Sequence, residues 1–593
     1  MTVSLAFPVR RRLAATSAAT LGVLTLAAVI AATIATALTA TDPVFPVPEV
    51  VEFGLPLVKT LTTLAASVTV GAIAVAAFMP RANPARDAAL DIGASAAVVT
   101  AVLSGGTAVL TLLALAGEVA ATTFAATLGQ FFTEIAVGQA WLATLLAFAG
   151  LSVLCFAVRE EGAVRWIAVI AVLALIPVSL QGHAAGAGSH TVAATAQWLH
   201  SAASAVWIGG LAVLATVRHR LGNSTTQVLA IYSQIALVCF IVVAAAGVSG
   251  AVVRFESPGQ LFTTTYGVLL LAKVALLTVL GVLGAWYRRS LLRSNPPKPA
   301  FWRTVAAELV IMGTAIGLAV VLTRTAPPVG ERIAATPAQR LTGLDLPAEP
   351  DQWASATSWV FDPLWILLIG FAAFRYVRAV ITARRHGRSW PLLRIIGFLA
   401  ALMLLLFVTC GWAGVYDTYL LSVRMVVLAA LTVVIPLLIV LAAPLKLLRP
   451  SEHPGPALVH PLVSAGLLAF VVLLWASPVT LRWAVEDPVG SQLMLLSSLA
   501  AGLYFWASML APARRHIRAV AAGAVTLAFA GAGIQLLSVP GVSPDWYAVI
   551  TEGWELDLVQ DQANAGIVLF SGAAAVLVAA AFFLRRKLSD AVD

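Results

Sequence analysis

Three histidines stand close together in this sequence: His183 and His190 in the stretch QGHAAGAGSH, and His200 in WLHSAASAVWIGGL. Neutral imidazole is the commonest protein ligand for copper and zinc, and three converging rings make a metal site. Glycine and alanine at 184–188 would let the first two histidines fold back against the helix that carries the third. The spacing H-x6-H-x9-H is not a specific signature on its own. Solvated loop histidines, with His200 bonded to a helix carbonyl, remain the competing reading. A second, softer group is Cys410, Met425 and Met494, whose sulfur suits Cu(I), although Met and Cys also serve as plain apolar fillers. Lys273 lies near the middle of an apolar run, where an ammonium costs on the order of 2.5–3.5 kcal/mol. Such a lysine lines or gates a path, or it snorkels or pairs within the helix packing, Glu308 on the next apolar run being one partner.

Other chemistry is thin. The three cysteines, Cys155, Cys239 and Cys410, are far apart with no CxxC, so neither a disulfide framework nor a thiolate knuckle is expected. No phosphate-binding GxxxxGK[ST], no HExxH and no GxSxG elbow is present. The sequence therefore predicts neither a catalytic enzyme nor an ATP-driven pump.

The elements that must position these residues follow from composition. The chain has 593 residues, of which 60% are hydrophobic and 11% charged, with mean hydropathy +0.95. Soluble domains average about 25% charged residues, so the expected class is an all-α, polytopic integral membrane protein. The net charge of +9 reads as topology signals, and no basic patch interleaved with aromatics points to nucleic acid. After Arg10-Arg11-Arg12 an apolar run continues to about Ala40. It exceeds the roughly 7–15 residues of a signal-peptide core, so it reads as an uncleaved first span. Further spans are expected near 57–79, 92–116, 138–158, 164–180, 193–217, 228–252, 264–287 and 302–323. A polar, Pro-rich connection precedes seven more, near 358–380, 391–411, 421–443, 459–477, 490–510, 516–538 and 563–584. About sixteen spans in two bundles, nine and seven, result.

Basic loops such as RANPAR, REEGAVR, VRHR, YRRSLLR and ARRHIR alternate with acidic or histidine-bearing ones. By the positive-inside rule this puts both termini in the cytoplasm and His183 and His190 outside. His200 then sits about 10 Å below the outer surface at 1.5 Å per residue. His219, His386, His453, His460 and His516 fall on the inner side. Residues 324–357 fall outside despite three arginines.

The sequence resembles two known families. GHA at 182–184, LHSAASAVWIGGL at 199–211, YSQIAL at 232–237, AGVSGA at 246–251 and LFTTTYGVLLLAKVALL at 261–277 are similar to the CopD-type copper resistance family over about 90–325. That resemblance implies movement of copper across a membrane, with His183 and His200 at the family's histidine positions and Lys273 as the lysine after TYG. His190 is added as a neighbour. Residues 358–585 resemble the CtaG-type cytochrome c oxidase assembly family through the YDTYLLSVRM…APLKLL run at 416–448, GLYFWA at 502–507 and DQANAG at 561–566. Arg424 and Leu428, and Gln492 with Leu495, stand where that family carries outer histidines. For this half the resemblance implies the fold and a partner surface rather than a metal. Arg424 is expected to snorkel or to neutralise Asp417. The acidic stretch TEGWELDLVQD at 551–561 reads as solvated outer surface.

The expected organisation is a CopD-like membrane domain at 1–325, an extracytoplasmic linker at 326–357 and a seven-helix CtaG-like domain at 358–593. The expected function is copper handling at the outer face of the cell membrane, tied to copper supply for cytochrome c oxidase, with copper ion, oxidase subunits and the lipid bilayer as partners. Two rivals stand beside it: a membrane electron carrier using haem b on paired histidines, and a ligand-free assembly scaffold for a respiratory oxidase.

Overall fold

The computed structural model describes residues 22–35, 49–117, 119–180, 190–255, 257–291, 299–323, 336–350, 357–448, 460–510, 513–539 and 544–585, with 325, 328, 541 and 542. Among these residues all regular structure is helical, and no strand occurs. This follows from lipid as solvent: a spanning helix satisfies every backbone N–H and C=O within itself, whereas an open strand cannot. The protein is a multi-pass membrane protein. Fourteen described helices are long and apolar enough to cross a bilayer, and one bent pair makes a fifteenth. A shorter apolar helix, Gly22–Ala35, lies within the expected first span.

The described chain divides into two compact units, Met1–Ala187 with Ala196–Glu331, and Gly188–Thr195 with Arg332–Asp593. The first unit contains α1 (Gly22–Ala35), α2 (Glu49–Phe78), α3 (Pro84–Ala116), α4 (Ala136–Ala157), α5 (Glu161–Leu173), α6 (His190–Val217, less its first turn and a half), α7 (Thr225–Val252), α8 (Thr265–Leu291) and α9 (Pro299–Leu322). Its packing depends on small side chains. A Cβ on Gly209 of α6 would lie 1.7 Å from the Ser67 carbonyl oxygen, and one on Gly71 of α2 would lie 2.2 Å from the Gly209 carbonyl carbon. The two backbones therefore touch, which is how helices associate where lipid supplies no hydrophobic drive. Threonines add hydrogen bonds across α2 and α3, Thr62 with Thr107 at 3.1 Å and Thr69 with Thr100 at 3.5 Å. On α9, Gly313 and Gly317 admit the backbone of α1 at Leu24 and Ala28 in the same way.

The second unit contains α10 (Pro363–Arg385), α11 (Leu392–Cys410), α12 (Leu421–Leu447), α13 (Pro461–Ala476), α14 (Pro478–Glu486), α15 (Pro488–Leu510), α16 (Arg515–Ser538) and α17 (Leu558–Arg585). The span expected at 459–477 is instead a bent pair, α13 and α14, turning by 72° at Ser477. Pro478 is the cause: it lacks an N–H, and it pushes the preceding residue out of the helical region, leaving Ser477 extended at ψ 136°. α12 is also interrupted, by a π-helical turn at Ala430–Val434 just before Pro436. The core of this unit is built on Trp365, Tyr416, Phe505, Trp506 and Phe529, all fully buried.

Candidate metal-handling site

His200 is carried by α6, ten residues from its first residue, His190. At 1.5 Å per residue that is about 15 Å along the helix. The imidazole is half-buried, and its Nδ1 lies 3.2 Å from the Val243 carbonyl oxygen on α7. A carbonyl only accepts, so Nδ1 carries the proton and Nε2 presents the lone pair. Metal-binding histidines use this arrangement, with the second ring nitrogen anchored on a carbonyl to fix tautomer and orientation. Gly247, one turn beyond Val243, leaves room beside the ring: a Cβ there would lie 3.9 Å from Nδ1. Neighbouring contacts stiffen α6, with Trp198 Nε1 donating to the Val172 carbonyl on α5 at 3.2 Å.

Two cations bear on the His200 ring electrostatically, Lys273 of α8 and Arg254 at the end of α7. Arg254 Nη1 donates to the Gly250 carbonyl at 2.6 Å. His200 and Lys273, two residues the sequence singled out 73 positions apart, lie on α6 and α8 of the same unit. His183 lies outside the described residues, and of His190 only the backbone, as the first residue of α6, is described. Among the described residues no three His, Cys, Asp or Glu side chains converge as a metal cage. His200 fits a metal ligand by its tautomer, and the set that would complete a site is not assembled within the described part of the chain.

Trp207 and the Gly209–Gly210 pair are packing features. Trp207 meets Phe240 edge-on at 5.9 Å, and the ring of Tyr232 lies over Gly210, where a Cβ would approach its Cε2 to 2.7 Å. The Tyr232 hydroxyl donates to the Trp207 carbonyl.

In the second unit, Arg424 is 1% exposed and does not snorkel; its guanidinium is held inside by four groups. Nε donates to the Asp417 carbonyl at 3.0 Å, Nη1 donates to the Ala484 carbonyl at 3.0 Å and the Met494 sulfur at 3.5 Å, and Nη2 pairs with the Asp417 carboxylate at 3.5 Å. Burial raises the Asp417 carboxyl above its ordinary range, and the Arg424 charge opposes that rise. Beside this pair, Asp362 caps α10 through the Leu364 N–H at 2.8 Å and accepts from Gln492 Nε2 at 2.6 Å. Trp365 Nε1 donates to Gln492 Oε1 at 3.0 Å. Burial pushes the Asp362 carboxyl up to about 6. Asp362, Asp417, Arg424, Gln492 and Leu495 line one cavity of about 120 Å³.

Arg424, Gln492 and Leu495 are the residues found where the CtaG resemblance anticipates histidines. A fixed guanidinium, an amide and an alkyl group do not fit a copper ion, and the Arg424 charge opposes a second cation there. Met494 already accepts from Arg424, Met425 is buried in the same apolar core, and Cys410 belongs to a different cluster beside Trp365. The sequence missed the Asp362–Gln492–Trp365 network because its members are about 130 residues apart. It also misread Asp561, which is 7% exposed rather than part of a solvated surface. That carboxylate caps the start of α12, accepting from the Leu421 N–H at 2.8 Å, and it accepts the Ser422 hydroxyl.

Comparison with known proteins follows the same division. Residues 50–192 match the family described as Copper resistance protein D-like, N-terminal domain, and 226–322 match Copper resistance protein D. Residues 374–590 match Caa3_CtaG, the cytochrome c oxidase caa3 assembly factor. His183 and His190 fall in the first stretch and Lys273 in the second, with His200 in the interval between them. An uncharacterized protein of Mycobacterium leprae is 26% identical over 257 residues, 39% of either chain. An uncharacterized protein of Mycobacterium bovis is 28% identical over 264 residues, again 39% of either chain. Copper transport protein CutJ of Bacillus subtilis is 30% identical over 154 residues, 25% of this chain and 27% of CutJ. The match thus spans about two-fifths of the length of the mycobacterial relatives. No solved structure matches the chain. The chain is a membrane protein whose residues 50–192 and 226–322 match the two Copper resistance protein D models and whose residues 374–590 match Caa3_CtaG, consistent with a fusion of both domain types.

Proposed function

We propose that this protein handles copper in the plasma membrane, taking the ion at the outer face through its first unit and serving cytochrome c oxidase assembly through its second. The observation that carries the reading is His200: an imidazole inside a membrane helix, anchored at Nδ1 on the Val243 carbonyl, with Nε2 left as the donor. The matched family descriptions support it, since two name copper resistance and the third an oxidase assembly factor. CutJ, the relative with an assigned role, is named a copper transport protein.

In this reading His183 and His190 lie outside, both termini and the basic loops lie inside, and 326–357 is an outer linker. His183, His200 and His190 form the entry ligands, and Lys273, whose charge bears on the His200 ring, gates the inward path. The second unit has exchanged metal ligands for the Arg424–Asp417 pair and acts through its fold on oxidase subunits. The test is elemental analysis of detergent-purified wild type and His200→Ala after incubation with copper. Wild type should retain copper, and the variant should retain at least about tenfold less, since losing even an outer partner of a ligand costs roughly 10–100-fold. Copper competes with protons for imidazole, so retention should fall as the pH is lowered. Equal copper in both proteins would sink the proposal.

A further inference from the structure

The cavity of the second unit is built of groups that the function proposed above does not use. Its wall carries the Asp362, Asp417, Glu486 and Asp487 carboxylates and one guanidinium, that of Arg424. Two of these carboxylates meet a cation: Asp417 pairs with Arg424 at 3.5 Å and Glu486 with Arg482 at 2.7 Å. Among the described residues, Asp362 and Asp487 are held by neutral donors alone. Asp362, 4% exposed, accepts from the Leu364 N–H and the Gln492 amide. Asp487 accepts from the Val489 and Gly490 N–H groups at 2.8 and 3.1 Å. The wall thus carries surplus negative charge, and a buried carboxylate without a counter-ion is costly until a cation joins it.

A second observation is independent of this charge. Tyr419 lines the same cavity and is 2% exposed, yet its hydroxyl has no hydrogen-bond partner. Such an atom is rare in a folded protein and points to a further bonding group. Trp365 and Trp546 also line the cavity, and each indole N–H is already bonded, to Gln492 and to the Thr418 carbonyl, so their rings add electron-rich apolar surface. No histidine, cysteine or methionine is among the described lining residues, so the donor set is oxygen and aromatic carbon, unsuited to a soft metal. Carboxylates beside aromatic rings recognise organic ammonium groups. The volume, about 120 Å³, is somewhat below the roughly 150 Å³ of an engineered cavity that accepts benzene, which suits a group of a few heavy atoms. We propose that this cavity binds a primary alkylammonium group, whose N–H donors are shared among Asp362, Asp417 and the Tyr419 oxygen. The Arg424 charge is offset by Asp417, which leaves Asp362 as the attracting end. The site lies among the ends of spans, with Asp362 just before α10, Asp417 between α11 and α12, and Asp487 just before α15. Span ends lie at headgroup level, so the amine arrives on a phosphatidylethanolamine headgroup or free in solution, with the same chemistry at the site.

Calorimetric titration of the detergent-purified full chain with ethylammonium chloride, at neutral pH and constant ionic strength, tests this without reference to copper. Wild type should give saturable heat, and sodium chloride at equal concentration should not displace the probe. Asp362→Asn should weaken binding roughly tenfold or more, the scale of a hydrogen bond to a charged group. Tyr419→Phe keeps the ring and should weaken binding by a smaller factor. Ser491→Phe, at a wall position in the first turn of α15, should fill the cavity and abolish binding. Circular dichroism melting identifies a variant that does not fold, and the other two then carry the test. Nanodiscs separate the two sources. Phosphatidylethanolamine discs should block the probe if the headgroup is the occupant, while phosphatidylglycerol discs leave the site open; equal binding in both assigns it to a soluble amine. Heat unchanged in Asp362→Asn and Ser491→Phe, equal displacement by sodium, or no binding to wild type in detergent and in phosphatidylglycerol discs overturns the inference.

Discussion

At the scale of single residues, burial sets each side chain's role. Arg424 and Asp417 are 1% and 6% exposed, so their pairing is not the weak surface kind. Removing one partner of a buried pair leaves an uncompensated charge and costs about 3–5 kcal/mol. Arg424→Ala should therefore lower the thermal or denaturant midpoint of the second unit sharply, and Arg424→Met, which keeps bulk beside Met494, should be no cure for the stranded Asp417. Asp362 makes a pH prediction. Its folded carboxyl is raised to about 6 from 3.8 by burial, so the folded state holds the proton more tightly than the unfolded chain. Stability from this group is present below about pH 4, is lost as pH rises toward 6 and stays lost at 7. Two pKa units correspond to at most about 3 kcal/mol. Melting followed from pH 7 to 5 should show wild type gaining stability that Asp362→Asn does not gain. His200 was legible because a histidine inside an apolar run is rare. Asp362 was not, because nothing in the run FDPLW shows that Gln492 will meet it.

At the scale of elements, hydropathy placed the spans, and small residues decided how they pack. Gly209 has no space for any side chain against Ser67, so Gly209→Val should abolish the α6–α2 crossing and with it stable expression. Gly150 on α4 meets nothing within 4 Å, so Gly150→Ala should be tolerated or stabilise by roughly 0.5–1 kcal/mol. Comparing detergent-extracted yields and melting of the two variants checks this; equal behaviour would refute the close approach of the helices. Periodicity could not reveal which glycine touches backbone and which faces outward, since both sit in equally apolar runs. The 72° bend at Ser477-Pro478 was signalled by the proline, yet the apolar run hid it, because composition alone does not mark where a helix turns.

At the scale of the whole molecule, the prediction concerns sidedness. The three native cysteines are buried, which gives a quiet background for labelling. Ala348→Cys and Asn223→Cys both replace exposed residues, the first in the connection before α10 and the second in the basic turn between α6 and α7. A membrane-impermeant thiol reagent applied to intact cells should label the first, and should label the second only after permeabilisation. The opposite pattern would invert the topology and move the histidine entry to the inner face. The sequence by itself determined that this chain lives in lipid, that its helices fall into two family-like halves, and that His183, His190 and His200 stand close together along the chain. Those features are local, written in runs of about twenty apolar residues and in side-chain types. Tertiary structure alone decided that His200 is anchored on the Val243 carbonyl and that Arg424 is locked to Asp417 where a ligand was anticipated. Each of these depends on which faces of distant helices meet, and packing of small residues, not hydropathy, sets that.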